Sequence, residues 1–382
     1  MNLETRKYPA LILNKQKLYE NTKQMVEWCE ASGIQVAGVV KGFDAIKEGC
    51  EAEARGGVKM MASSRVEHLE YIKKMGLHDI DGVDMPTLLI RMPMMCEIED
   101  TIDFADYSLN SEIVTLDALN LAAERKGKVH NVILMTDLGD LREGWINTDE
   151  LVAAAVHVEH DLGNLHLAGI GTNLGCVGSV IPNKDKMEEL VHNAELVESA
   201  IGRKLEIISG GATSSLAPLF DGVMPDRVNM LRIGEAIPQG CNASACIETG
   251  IKELEQLHGD AFILAAQIVE LNVKPTYPIG EIGTDAFGRK KEYIDRGNRL
   301  RAILAVGLAD YGDTCDIIPQ LEGATIWGAS SDHTILDIED VPAQIRDNLK
   351  VGDIVNFELR YGAMLHLAHN DKTVHQVHIE RI

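Results

Sequence analysis

The run Ile34-Gln-Val-Ala-Gly-Val-Val40, closed by Lys41-Gly-Phe-Asp44, decides how the rest of the chain is read. Only Gln35 and Gly38 interrupt its apolar character, which suits a strand covered on both faces, as in a parallel sheet packed by helices. The carboxyl end of such a strand opens where α/β folds keep their chemistry. Lys41 is therefore a candidate imine-forming amine. A lysine that merely snorkels from a strand end is the bland alternative, so the other strand ends have to decide between them.

Working outward, eight short apolar runs precede about Ile237: Ile34 to Val40, Val58 to Ala62, Thr87 to Ile90, Ala105 to Leu109, Asn131 to Thr136, His166 to Gly171, Leu205 to Ser209 and Val228 to Ile233. Helical spacing separates them. Met187, Leu190, Val191, Ala194 and Val197 share one face before a stop at Gly202, and a segment from Ser111 through Leu116, Leu119, Leu121 and Ala123 stops at Gly127. Eight alternating units predict an α/β fold, a TIM-like (β/α)8 barrel over residues 1–240. A doubly wound open sheet is the rival.

Beyond Cys241 the texture becomes β-rich: Ala261 to Leu271, Leu300 to Val306, Thr334 to Ile338 and Val351 to Leu359. Residues 241–382 read as a second, mainly β domain. Tyr277 to Asn298, rich in glycine and charge, reads as a long exposed hairpin or loop.

The 382 residues carry a formal charge of −23, which disfavours nucleic acid and anionic membrane as partners. It raises slightly the case for a cationic substrate, although acidic surfaces also serve solubility alone. Neither a signal segment nor a membrane-length apolar run is present, so the expected location is cytoplasmic. Seven cysteines without a paired CxxC spacing suit free thiols in a reducing compartment, and no metal site is expected.

In a parallel barrel all strand ends share one mouth. Asp137-Leu-Gly-Asp-Leu-Arg-Glu-Gly144 follows the fifth run, Gly171-Thr-Asn173 the sixth, and Ser209-Gly-Gly-Ala-Thr-Ser-Ser215 the seventh. Arg232-Ile-Gly-Glu-Ala236 closes the eighth. The glycine and hydroxyl run reads as an anion cradle, a role barrels often give to the seventh and eighth loops. A lysine, a phosphate cradle and two arginines at one mouth are the parts needed to hold pyridoxal phosphate.

With these residues in view, the chain resembles the alanine racemase superfamily of pyridoxal phosphate enzymes, and within it the ornithine racemase branch. The resemblance rests on Val39-Val-Lys41, Asp137 to Gly144, Gly169-Ile-Gly-Thr-Asn-Leu-Gly-Cys176, Leu231-Arg-Ile-Gly-Glu-Ala-Ile237 and Gly328-Ala-Ser-Ser-Asp-His333. It implies that Lys41 carries the cofactor and moves a proton on one face of the substrate's α-carbon. It also implies that Arg232 faces the pyridine nitrogen and Arg142 lies near the phenolic oxygen. Asn173, Ser209, Gly210, Gly211, Thr213, Ser214, Gly234, Glu235 and Ala236 would then line the cofactor site. An amino acid substrate and a homodimer with shared active sites are further implications.

Two departures redirect the substrate. Leu308, in Gly307-Leu-Ala-Asp-Tyr311, stands where alanine racemases have a proton-carrying tyrosine, and Asn173 stands where they have histidine. Inversion needs acid-base groups on both faces, so the candidates for the second face are Tyr311, Asp332 and His333. Asp140, Glu143, Asp310 and Asp332 are the acids available to a cationic side chain. Alanine racemase, a decarboxylase of the same layout, a non-catalytic cofactor carrier and a sugar-phosphate barrel with a structural Lys41 are the competing readings.

Overall fold

The structure, a computed structural model, describes residues 7–80, 82–244, 250–290 and 292–379. These form two compact units, Lys15–His258 and a second one that joins residues 7–14 to 259–379.

In the first unit eight parallel strands close into a barrel: Gln35–Val39, Met60–Ser63, Thr87–Leu89, Tyr107–Asn110, His130–Met135, Leu165–Gly171, Ile207–Ser209 and Met230–Ile233. They pair in chain order, and the eighth returns to the first from Met230↔Gln35 to Ile233↔Gly38. All eight runs read from the sequence are barrel strands, and closure excludes the open-sheet rival. Alternation along each strand divides its side chains. Ala37 and Val39 join Ala62, Leu88, Leu109 and Ile133 in the barrel interior. Val132 and Leu134 face outward against Leu119, Leu151, Leu190 and Val197 of the surrounding helices. Each fully buried side chain of this size is worth about 1.5–3 kcal/mol.

The helices Ile113–Lys126 and Lys184–Ile201 end at Gly127 (φ 61°) and Gly202 (φ 77°), left-handed residues as their stop positions require. Asn183 caps the second, its side chain accepting from the Lys186 amide at 2.9 Å.

The other unit is built on an eight-stranded sheet. Its spine is Phe262–Pro275, paired antiparallel with Asn298–Leu304, Ile354–Leu359 and Ala10–Asn14. Thr334–Asp337, Thr325–Ala329 and Ile317–Pro319 extend the sheet, and His375–Ile379 runs parallel to Ala10–Asn14. Ala10–Asn14 thus belongs with the β unit although it precedes the barrel in sequence, and the barrel unit runs on to His258. The segment between Pro275 and Asn298 is the loop of a long hairpin. Among the described residues no helix is long and apolar enough to cross a membrane.

Candidate active site

Lys41 lies in the single tight turn Val40–Phe43 at the end of the first barrel strand. Phe43 is fully buried, and a Cβ on Gly49 would come within 2.7 Å of its ring, so this anchor seats directly on the next helix. Asp44 and Ala45 follow with φ of 54° and 50°. Consecutive left-handed non-glycine residues cost roughly 1–2 kcal/mol each. A network that the sequence did not suggest holds them: His68 Nε2 lies 2.8 Å from Asp44 Oδ1, and its Nδ1 lies 2.8 Å from Ser63 Oγ. The end of the second strand is thereby tied to the turn that carries the lysine.

Among the described residues no hydrogen bond or ion pair holds the Lys41 amine. Burial, followed by the Arg142 guanidinium, pushes its pKa below that of an ordinary lysine, which favours the neutral, nucleophilic form. Arg232, on the eighth strand, is fully enclosed. Its Nη1 donates to Ser209 Oγ and its Nη2 to the Thr172 carbonyl at 2.7 Å. No carboxylate pairs with it among the described residues, and burial lowers its pKa to about 10. A buried cation with two neutral acceptors invites an electron-rich partner.

Arg142 turns back onto its neighbour, donating from Nε and Nη2 to the Glu143 carboxylate. The loop bearing both is shaped by Gly144 (φ 119°), where a Cβ would strike the Asp137 amide at 2.6 Å. Asp140 organises the adjoining loop. It is buried and accepts from the amides of Gly175 (2.9 Å), Cys176 (3.3 Å), Val177 (3.0 Å) and Val180 (3.2 Å). Burial works against its charge, but the four donors prevail and hold the carboxyl below its usual range.

The cradle is assembled from the seventh and eighth loops. Thr213 Oγ1 accepts long bonds of 3.4 Å from the amides of Glu235 and Ala236. Ser214 donates to the Leu174 carbonyl and Ser215 to that of Gly210, so these hydroxyls brace the loop rather than point free. Gly211 (φ 120°) cannot carry a side chain, because a Cβ would lie 2.5 Å from Ser215 Oγ. At Gly234 a Cβ would meet Val39 Cβ at 2.9 Å, so the strand ends approach too closely for anything larger. Gly210 is pressed against Val228, a packing requirement. Glu235 receives the Ser244 amide and hydroxyl. Asn173 Nδ2 and Thr172 Oγ1, buried beside these loops, have no partner among the described residues. Unspent donors, an uncompensated buried arginine and stretched amide contacts fit a flat, polyanionic cofactor.

In the β unit, the Leu308 and Ala309 amides donate to the Ser330 and Ser331 carbonyls at 2.9 and 3.0 Å. The Ser330–His333 turn is thus stapled beside Leu308, with Asp332 and His333 exposed on it. Tyr311 is different. It is wholly buried, its hydroxyl 2.7 Å from Thr334 Oγ1, and burial raises its pKa to about 12. In this conformation the phenol is enclosed and bonded within its own unit, unlike Asp332 and His333, which counts against the role expected of it. Asp310 is also spent, accepting from Gly307 N, Asn370 Nδ2 and Thr373 Oγ1.

A closed parallel barrel with a half-buried lysine after its first strand, unpaired among the described residues, and glycine- and hydroxyl-rich loops after its last two suits a barrel-type pyridoxal phosphate enzyme. Residues 13–238 match the family model "Alanine racemase, N-terminal domain". The chain is 40% identical to the ornithine racemase of Acetoanaerobium sticklandii, over 94% of this chain and 96% of that protein. It is 35% identical to the lysine racemase of Thermotoga maritima, over 94% and 95%. In fold it resembles the alanine racemase from D-cycloserine-producing Streptomyces lavendulae, with a TM-score of 0.73 at 15% identity, covering 99% of this chain and 98% of that one. The chain belongs to the alanine racemase family, and it is a pyridoxal-phosphate-dependent isomerase.

Proposed function

We propose that this enzyme interconverts the L and D forms of a basic amino acid, with ornithine as the first substrate to test. The observation that carries this reading is end-to-end similarity to two racemases named for diamino acids, at 40% and 35% identity. Leu308 and Asn173 support it by removing groups on which an alanine racemase depends.

Lys41, with Ser209 to Thr213 and Gly234 to Ala236, would hold pyridoxal phosphate, which would supply an electron sink beside the substrate's α-carbon. Ser214 and Ser215 keep that loop in shape. Arg232 would hold the ring nitrogen. A guanidinium surrenders its proton reluctantly even with its pKa lowered to about 10, so the sink stays weak and reprotonation is favoured over bond cleavage. Arg142 and Asn173 orient the ring. The Lys41 amine, its pKa lowered, would take or return the α-proton on one face. His333, with Asp332 beside it, serves the other from the β unit of a second copy, so that the working form is a cytoplasmic homodimer.

Optical rotation decides the matter. L-ornithine should lose rotation without releasing carbon dioxide. Inversion of alanine with ornithine untouched would refute the reading, and carbon dioxide release would assign a decarboxylase.

A further inference from the structure

Four acids were available from the sequence to recognise a cationic side chain, and their surroundings separate them. Asp140 is committed to four backbone amides, and Asp310 to three donors within its own unit. Asp332, in the β unit, accepts from Ser331 Oγ at 2.6 Å. Glu143 alone of the four stands at the barrel mouth with a side chain as its partner. The neighbouring acids there are occupied, since Asp137 Oδ1 caps the Gly139 and Leu141 amides and Glu235 holds Ser244.

The Glu143 partner is the adjacent Arg142, which offers one N–H to each carboxylate oxygen. Each oxygen accepts more than one bond, so the fork leaves capacity on both. The Glu143 side chain is 13% exposed, against 36% for Arg142, so the carboxylate is the more withdrawn from water of the two. A charge in that setting attracts a second cation more strongly than a solvated surface acid does. The field of Glu143 reaches both Lys41 and Arg232, in each case favouring the charged form.

We infer that Glu143 is the specificity-determining residue for the terminal ammonium of the substrate, its carboxylate receiving that group alongside Arg142. The inference rests on the basic-amino-acid reading above and adds to it the contact that enforces the preference.

The test compares L-ornithine with L-norvaline, which has the same carbon chain without the terminal amine, in wild-type holoenzyme and in Glu143→Gln and Glu143→Asp. The ratio of the two kcat/KM values should fall about 30-fold or more in Glu143→Gln and stay within about fivefold in Glu143→Asp. Binding of 1,4-diaminobutane to the holoenzyme, measured by calorimetry, should weaken in parallel in Glu143→Gln and needs no turnover. A Glu143→Gln enzyme that loses both amino acids equally, or binds the diamine as wild type does, overturns the inference and leaves Glu143 as a support for Arg142. A wild-type enzyme with no preference for L-ornithine overturns the substrate reading and this inference together. A wild-type preference that survives in Glu143→Gln overturns this inference alone.

Discussion

Glu53 offers a stability prediction that can be worked through in numbers. It lies on the helix Lys47–Arg55, wholly buried, with neither carboxylate oxygen hydrogen-bonded among the described residues. Gly38, on the strand that leads to Lys41, leaves the space it fills: a Cβ there would lie 2.2 Å from Glu53 Oε2. Burial raises the carboxyl from its ordinary 4.5 to about 8. Between those values the folded chain binds a proton that the unfolded chain has released, so stability falls as pH rises through the window. Each pH unit is worth about 1.4 kcal/mol, so roughly 3 kcal/mol is lost between pH 5.5 and 7.5. Glu53→Met fills the same space without a titrating group. Urea unfolding of wild type and variant at the two pH values isolates the effect, because every other titrating group is common to both. Wild type should lose about 3 kcal/mol more than the variant over this range. An identical fall in the two proteins would refute the reasoning and show that Glu53 is ionised or hydrated in the fold.

Asp140→Ala removes the acceptor of four amides and should cost about 3 kcal/mol, with faster hydrogen exchange across residues 175–180 and weaker cofactor binding. Arg142→Ala deletes a cation that lowers the Lys41 pKa and frees Glu143, which raises it. The pH dependence of imine formation in the apoenzyme should therefore move to higher pH, and a shift to lower pH would contradict the assigned electrostatics. Tyr311→Phe should cost about 1 kcal/mol through the lost Thr334 bond and leave solvent-deuterium uptake at the α-carbon within about twofold. His333→Ala should depress that uptake on one face about a hundredfold or more.

The barrel was legible because its strands are covered on both faces and so read as unbroken apolar runs, with glycines such as Gly127 and Gly202 marking the helix ends between them. The β unit was legible only where its strands are long. Ala10–Asn14 gave no local sign of its place, since its partners, Ala265 and His375, lie far along the chain beyond the whole barrel. Ile317–Pro319, Thr325–Ala329 and His375–Ile379 were missed because they are short, carry a proline or glycine, or mix polar with apolar residues.

The placement of Lys41 and Arg232 at the barrel's strand ends could be read because a charge ending an apolar strand has few places to go. The burial of Tyr311 could not, because a four-residue helix fixes its direction. The tie from Ser63 through His68 to Asp44 was equally hidden, since it joins residues brought together by the pairing of the first two barrel strands. Asp140 was visible as an acid, but its use as a loop organiser depends on amides more than thirty residues away.

Attachment of the cofactor at the first strand end is the central requirement of this chemistry. Borohydride reduction of the holoenzyme followed by peptide mapping tests it most directly. One pyridoxyl group per chain on the peptide containing Lys41 is the predicted result, and Lys41→Ala should abolish it. A pyridoxyl group on another lysine, or none on protein saturated with pyridoxal phosphate, would contradict the account.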